Sequence, residues 1–329
     1  MAFPFSFVRS KVVNLVLNDY SIRYVELKQK KPAIPLKYGQ RFLPAGLILD
    51  GKIQDYDTLL NILDECIEDW KIAKREVRFI VPDSLVTIRK VSIPADVKDD
   101  EIQGYLYLEL GTSIHLPFED PVFDIITLGI QGQQREILIF AAPEQFVNEY
   151  AELFKNLKLR PIAADISPLA IYRLFHQSDM QQPNDVLLSV QFDLDVVSMC
   201  VFEEHIPVFM RHLPGDLIEN WKMKPLQDGQ EMVYIGDVAE LSYQLEEIYR
   251  DVTKLMDFYR YSFTYGKKEV TRILVNGDHP MIDRILADMK ERFEIRVDTL
   301  KVSLTDSDSE LETLPKCYNL ALGLGLKEV

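Results

Sequence analysis

No apolar run in this 329-residue chain reaches the roughly 18 residues that a membrane-crossing helix needs. The opening residues, MAFPFSFVRSK, have no long apolar core ahead of a cleavage site, so secretion is not expected. Cysteine is scarce. Cys66, Cys200 and Cys317 stand apart, which excludes a disulfide framework or paired zinc spacing and points to buried free thiols in a reducing compartment. Basic residues are outnumbered, 37 Lys and Arg against 52 Asp and Glu, for a net charge of -15. No basic cluster is present to release counterions from phosphates, which argues against nucleic acid as a partner. Also missing are G-x-x-x-x-G-K-[ST], G-x-S-x-G, H-E-x-x-H and C-x-x-C. His115, His176, His205, His212 and His279 are scattered and read as ordinary surface or core histidines rather than metal ligands.

What the chain does have is enough apolar residue, 47%, and enough length for two domains with separate cores. It also repeats itself. VNLVLNDYSIRYVEL (13–27) and LSVQFDLDVVSMCVF (188–202) each set an apolar run, a polar interruption and a second apolar run. Each is followed by Ile-Pro (34–35, 206–207) and closes on a shared pattern, Arg41-Phe42-Leu43-Pro44 and Arg211-His212-Leu213-Pro214. Two lobes that each open on a three-strand meander, with a cleft between them, follow from this.

Between the meanders, Leu59, Leu60, Leu63, Cys66, Ile67 and Trp70 share one helical face over 57–70. Strands are expected at 77–81 and 85–93, then helix 99–112, strands 122–130 and 136–141, helix 144–157, strand 160–165 and helix 167–176. After a hinge at 181–184 come the second meander, helix 237–261, strand 272–275, a helix from near Pro280, strand 293–297 and a closing apolar helix over 315–326. The expected domains are a first lobe of 1–89 plus 164–183, an inserted α+β subdomain of 90–163, and a second lobe of 184–329 with a helical subdomain at about 216–261. The aromatic run Phe258, Tyr259, Tyr261, Phe263 and Tyr265 reads as core packing rather than base stacking, for want of basic neighbours beyond Arg260, Lys267 and Lys268. Phe3, Phe5 and Phe7, ahead of Arg9 and Lys11, fit either contact with a membrane surface or a packed or unstructured arm.

An ordered set of short motifs then resembles the PilM family of type IV pilus assembly proteins. They are S-I-R-Y-V-E-L at 21–27, L-P-A-G at 43–46 with D-G-K-I at 50–53, Pro82 to Ser84, Leu106 to Pro117, A-A-P at 141–143, L-R-P at 159–161 through Asp165, P-L-A at 168–170, D-F-Y-R at 257–260, and A-L-G-L at 321–324. The resemblance implies an α/β, two-lobed, actin-like (ribonuclease H-like) fold, shared with the division protein FtsA, with a small α+β domain inserted in the first lobe. It also implies a nucleotide cleft built from glycine-bearing strand turns that cup phosphates, with an Asp in each of the first two to hold magnesium.

The turns have lost that chemistry. At the first, Val16 stands at the family's Asp position and Asn18 at its Gly, with Asp19, Ser21 and Arg23 following. At the second, Gln191 and Asp193 replace Asp and Gly, with Asp195 beyond; at the third, a glycine triplet has become Asn276-Gly277-Asp278. A carboxylate about 4 Å from a phosphate costs about 4 kcal/mol at an effective dielectric of 20. The Asp193/Asp195 pair reads either as a rebuilt metal site or as a plain hairpin turn, and the hairpin turn is the better reading. Nucleotide binding is therefore expected to be weak or lost, no cofactor is assigned, ATP with magnesium stays open, and the chain is expected not to be an enzyme.

The resemblance further implies a cytoplasmic adaptor at the inner face of the cell membrane. Such a protein captures the N-terminal cytoplasmic peptide of a PilN-like membrane protein and has a possible link to the pilus motor ATPase. The groove is expected between the first lobe and the insert, lined by Arg78, Ile80, Ile88, Lys90, Tyr105, Leu106 and Glu109. An actin-like ATPase or kinase, and an FtsA-like membrane-bound polymer, are the alternatives.

Overall fold

The computed structural model describes residues 12–178, 180–215, 220–226, 229–304 and 313–328. The aromatic arm at Phe3, Phe5 and Phe7 lies outside them. In the first lobe, β1 (Val13–Asn18), β2 (Ser21–Gln29) and β3 (Ile34–Phe42) form an antiparallel meander. The ribbon β4 (Ile48–Leu49) and β5 (Lys52–Ile53) leads to helix α1 (Tyr56–Trp70). Asp55 caps α1 by accepting from the Thr58 N–H at 3.1 Å, and Leu59, Leu63, Cys66 and Ile67 face inward at helical spacing. Strand β6 (Glu76–Ile80) then pairs parallel with β1.

Next comes the insert: β7 (Thr87–Pro94), α2 (Ile102–Glu109), β8 (Pro121–Gln131) and β9 (Gln134–Pro143). Its antiparallel sheet has the order β7-β9-β8 and its own small core of Ile93, Ile102, Leu106, Phe123, Ile137 and Ile139. The insert is shorter than 90–163. Helix α3 (Glu144–Asn156) buries Tyr150, Leu153 and Phe154 in the first-lobe core beside Leu63 and Phe79, and β10 (Arg160–Asp165) pairs parallel with β6. An amphipathic helix follows the sheet that its apolar stripe can cover, so the boundary falls near Pro143 rather than at 163. Helix α4 (Ser167–Gln177) closes the lobe.

The second lobe repeats the plan with β11 (Val186–Phe192), β12 (Val196–Glu203) and β13 (Ile206–Pro214). The expected helical subdomain at 216–261 instead opens with a hairpin of β14 (Trp221–Leu226) and β15 (Gly229–Tyr234); its residues 216–219, 227 and 228 lie outside the described residues. Helix α5 (Val238–Asp257) follows, continuing as a π turn over Phe258–Phe263. Then come β16 (Arg272–Asn276), α6 (Ile282–Arg292), β17 (Arg296–Asp298) and α7 (Asn319–Leu324). The π turn splits the aromatic run. Tyr259 is fully buried and Phe263 packs on the core, whereas Phe258, Tyr261 and Tyr265 are exposed, so core packing accounts for only part of it.

The duplication read from the sequence is present in the sheets. One has the order β3-β2-β1-β6-β10 and the other β13-β12-β11-β16-β17, each placing its five strands in the order 3-2-1-4-5. The central strands β1 and β11 are buried along nearly their whole length, as strands covered on both faces must be. A further core joins the lobes, in which α7 and α4 pack with Val16, Val25 and Ile80 from one lobe and Leu187, Phe202 and Leu274 from the other. Gly323 permits this approach, since a Cβ there would lie 2.2 Å from the Ala170 carbonyl oxygen. Cys66 and Cys200 are buried and Cys317 half-buried, all three as free thiols.

Candidate functional sites: the interlobe cleft and an apolar groove

The first two sequence-predicted turns line one cavity of about 270 Å³ between the lobes, and the third is hydrogen-bonded to both of them. The β1–β2 turn puts Asp19 and Tyr20 at its tip, closed by the Asn18–Ser21 pair, and the Ser21 hydroxyl donates to Asn18 Oδ1 at 2.6 Å. Asp19 accepts from the backbone N–H groups of Asp50 (2.7 Å) and Gly51 (3.0 Å). The β11–β12 turn is a tight hairpin in which the Asp193 N–H donates to the Val196 carbonyl at 3.0 Å.

The third turn does what the sequence reading did not foresee. Asp278, carried on the second lobe, reaches across and accepts from Arg23, from the Tyr20 hydroxyl, and from Asn18 Nδ2 at 3.0 Å. Its own N–H donates to Asp193 Oδ1 at 3.1 Å, while the Leu194 N–H donates to the Tyr20 hydroxyl at 3.2 Å. Arg23 and Asp278 are 4% and 5% exposed at the side chain, so this is a buried ion pair. Burial opposes the Arg23 charge, but Asp278, Tyr20, Cys317 and Asp193 together outweigh it and hold the guanidinium above its usual range. Gly277, the one glycine left in the three turns, is fully occupied. At φ 131° it lies so close to Phe192 that a Cβ would meet the Phe192 carbonyl oxygen at 2.0 Å.

The lining is acidic. Asp19, Asp50, Asp83, Asp193 and Asp195 face the cavity, and no lysine or arginine does among the described residues. Burial, then Asp278 and Asp195, push the Asp193 carboxyl well above the carboxylate range. Burial, with Asp19 and Asp278 adding, raises Asp195 to about 8. Burial also raises Asp83 and, despite two backbone N–H donors, Asp19. The donors at the first turn are committed to Asp278, and nothing cationic in the lining faces an incoming phosphate. A bound triphosphate does not fit such a set. Among the described residues no group of three or more His, Cys, Asp or Glu is placed to hold a metal ion.

Sequence reasoning picked Val16, Asn18, Asp19, Gln191, Asp193 and Asp195, which all line the cavity, and Ser21, Arg23, Gly277 and Asp278, which support it. Asn276 is buried beneath it and accepts from Asn319 Nδ2 at 3.0 Å. Missed were Tyr20, at the tip of the turn itself, and Asp83 and His212, which only the meeting of the lobes brings together.

A second concavity of about 240 Å³ lies between the insert and the first lobe. Alternation along the strands builds it. Phe123 pairs with Ala141 on the face that α2 covers, whereas Val122, Asp124 and Ile126 pair with Ala142, Phe140 and Leu138 on the opposite face. That second face looks toward Val147 of α3, Leu169 of α4, and Val81 and Val86 of the first lobe. Val122 and Ile126 remain 40% and 38% exposed on this one face of β8. β8 is also an edge strand, with one side of its backbone free of sheet partners among the described residues.

None of the seven residues expected to line this groove does so. Tyr105, Leu106 and Glu109 ride on α2 and therefore lie on the other face of the sheet, with Leu106 fully buried. Ile80 lines the interlobe cavity, and Arg78 is buried, donating to Asn14 Oδ1 at 3.4 Å. Ile88 and Lys90 pair with Phe140 and Leu138 on the groove's face but one strand away from it.

Residues 15–215, more than half the chain, match the family model for type IV pilus assembly protein PilM. The chain belongs to the PilM family. Its fold is similar to a solved structure described as the PilM-PilN type IV pilus biogenesis complex, with a TM-score of 0.73 at 18% identity, covering 97% of this chain and 100% of that one. It is also similar to ethanolamine utilization protein EutJ from Carboxydothermus hydrogenoformans, with a TM-score of 0.51 at 11% identity, covering 95% and 88%. No curated protein sequence matches the chain. The two-lobed actin-like fold expected from the duplicated meander and the resemblance is the fold this chain has. Among its described residues no helix is long and apolar enough to cross a membrane.

Proposed function

We propose that this PilM-family chain is an adaptor of pilus assembly that takes the N-terminal cytoplasmic peptide of a PilN-like inner-membrane protein into the groove beside β8. The carrying observation is an apolar surface, Val122, Ile126, Phe140 and Leu169, left partly open next to the free edge of a sheet. An extended peptide placed there gains main-chain hydrogen bonds from the edge, while alternate aliphatic side chains enter the groove. Such docking needs no hydrolysis, and we read the interlobe cleft as carrying no ATPase activity. The chain would then sit at the inner face of the membrane through its partner, relaying that position to the pilus motor.

A labelled peptide copying the partner's N-terminus tests the reading by fluorescence anisotropy. Binding in the low micromolar range is expected. Ile126→Glu places a charge on a surface side chain in the groove and should weaken binding by at least about tenfold, equivalent to about 1.4 kcal/mol. No binding by the unaltered protein at tens of micromolar would refute the assignment.

A further inference from the structure

The cleft retains a lining that the Asp278 latch does not satisfy. Asp83 Oδ1, Gln191 Oε1 and Asp195 Oδ1 are buried oxygens without a hydrogen-bond partner, and the three residues line the same cavity of about 270 Å³. Gln191 is 4% and Asp83 6% exposed. His212 Nδ1, beside Asp83, is a fourth unpaired atom in the lining. Buried polar atoms left unpaired cost about 1–3 kcal/mol each, so a cluster of them in one space calls for an occupant. Gln191 Oε1 is an acceptor, and the two carboxyl oxygens are acceptors once ionised. An occupant that brings donors and positive charge satisfies these oxygens and favours the ionised form of the five carboxyls around it, among which no lysine or arginine lies in the described lining.

We propose that the interlobe cleft of this protein is a site for a small organic cation, a primary ammonium or guanidinium group, in place of the anionic nucleotide its fold is built to hold. The Asp83 oxygen comes from the segment after β6 in the first lobe, that of Gln191 from the end of β11 and that of Asp195 from the β11–β12 turn of the second, so a cation held by all three would bridge the lobes. An ammonium group supplies three donors and a guanidinium five, matching the three open acceptors. A bare metal ion is a poorer match, because among the described residues no three acidic or histidine ligands converge on a point. Val16, Ile80, Leu213 and Leu320 add apolar lining to the same cavity, which suits a short methylene chain behind the charged head. Burial, followed by the neighbouring carboxylates, raises the affinity of Asp193 and Asp195 for protons, and a bound cation does the same electrostatic work as those protons.

The chemistry is shared by free diamines and by lysine or arginine side chains of a partner chain, and the experiment separates them. Thermal unfolding of the full chain is followed with putrescine, agmatine, Nα-acetyl-lysine amide and Nα-acetyl-arginine amide. Butane-1,4-diol and sodium chloride at matched ionic strength serve as controls. At about ten times the dissociation constant the cation should raise the midpoint by about 2–4 °C. A shift with the free diamines locates the source in small metabolites, and one with the amino-acid amides locates it in a partner chain; either supports the site. Gln191→Leu and Asp195→Asn should each reduce the shift by at least half.

No shift with any cation, or an equal shift with sodium chloride or the diol, overturns the inference, as does an undiminished shift in both variants. Peptide capture in the β8 groove is scored separately by anisotropy, so failure of either reading leaves the other standing.

Discussion

Asp195 shows most directly how a single residue bears on this protein. Its carboxyl is held to about 8 because burial, and then Asp19 and Asp278, disfavour its charge, whereas an unfolded chain ionises it near 3.8. A folded-state value above the unfolded one gives stability that is fully present below the unfolded value. That stability is lost as pH rises toward the folded one. Unfolding by denaturant should therefore show a midpoint that falls between about pH 4 and pH 8. Asp195→Asn removes this loss, and its midpoint should exceed that of the unaltered protein at pH 8 and converge with it near pH 4. A variant no more stable at pH 8 would show that the carboxyl is already ionised without cost. Asp278, also buried, is received by three donors, Asn18, Tyr20 and the ion-paired Arg23.

Among the elements, the one with the most leverage is the six-residue helix α7, which is too short to be stable alone and is held by what it touches. It packs on α4 and on strands of both lobes, and Gly323 sets the distance of that contact. Gly323→Ala drives a methyl group into the Ala170 backbone, and overpacking of this kind costs about 1–3 kcal/mol. A lowered melting midpoint, with faster amide exchange along α4, is the expected result. An unchanged midpoint would show that the two helices can separate slightly at no cost. The element scale is also where the groove arises. Period-two alternation in β8 sends Phe123 under α2 and Ile126 into the open, so α2, which the sequence reading set in the groove lining, lies on the other face of the sheet; alternation does not say which face a helix will cover.

For the whole molecule, the latch through Asp278 ties the lobes with a buried ion pair. Asp278→Ala leaves the Arg23 guanidinium buried and unpaired, a loss of about 3–5 kcal/mol. It should lower the unfolding midpoint and speed exchange at the β1–β2 and β16–α6 turns. Protection unchanged at both turns would mean that the α4–α7 core holds the lobes by itself.

Much of this architecture was legible in the amino-acid sequence itself. The duplicated meander, the helical face over Leu59 to Trp70 and the strand at Arg160 to Asp165 depend on periodicity and turn residues, which are local properties. So was the loss of the glycines that would cup a phosphate, because a side chain at Asn18 or Asp193 is visible in one dimension. The latch, the unsatisfied oxygens and the groove were decided only by folding. Asn18 and Asp278 are 260 residues apart, and Asp83 and His212 come from different lobes. Which carboxylate meets which donor, and which strand face stays open, depends on how separately formed pieces dock. No local pattern of residues encodes that.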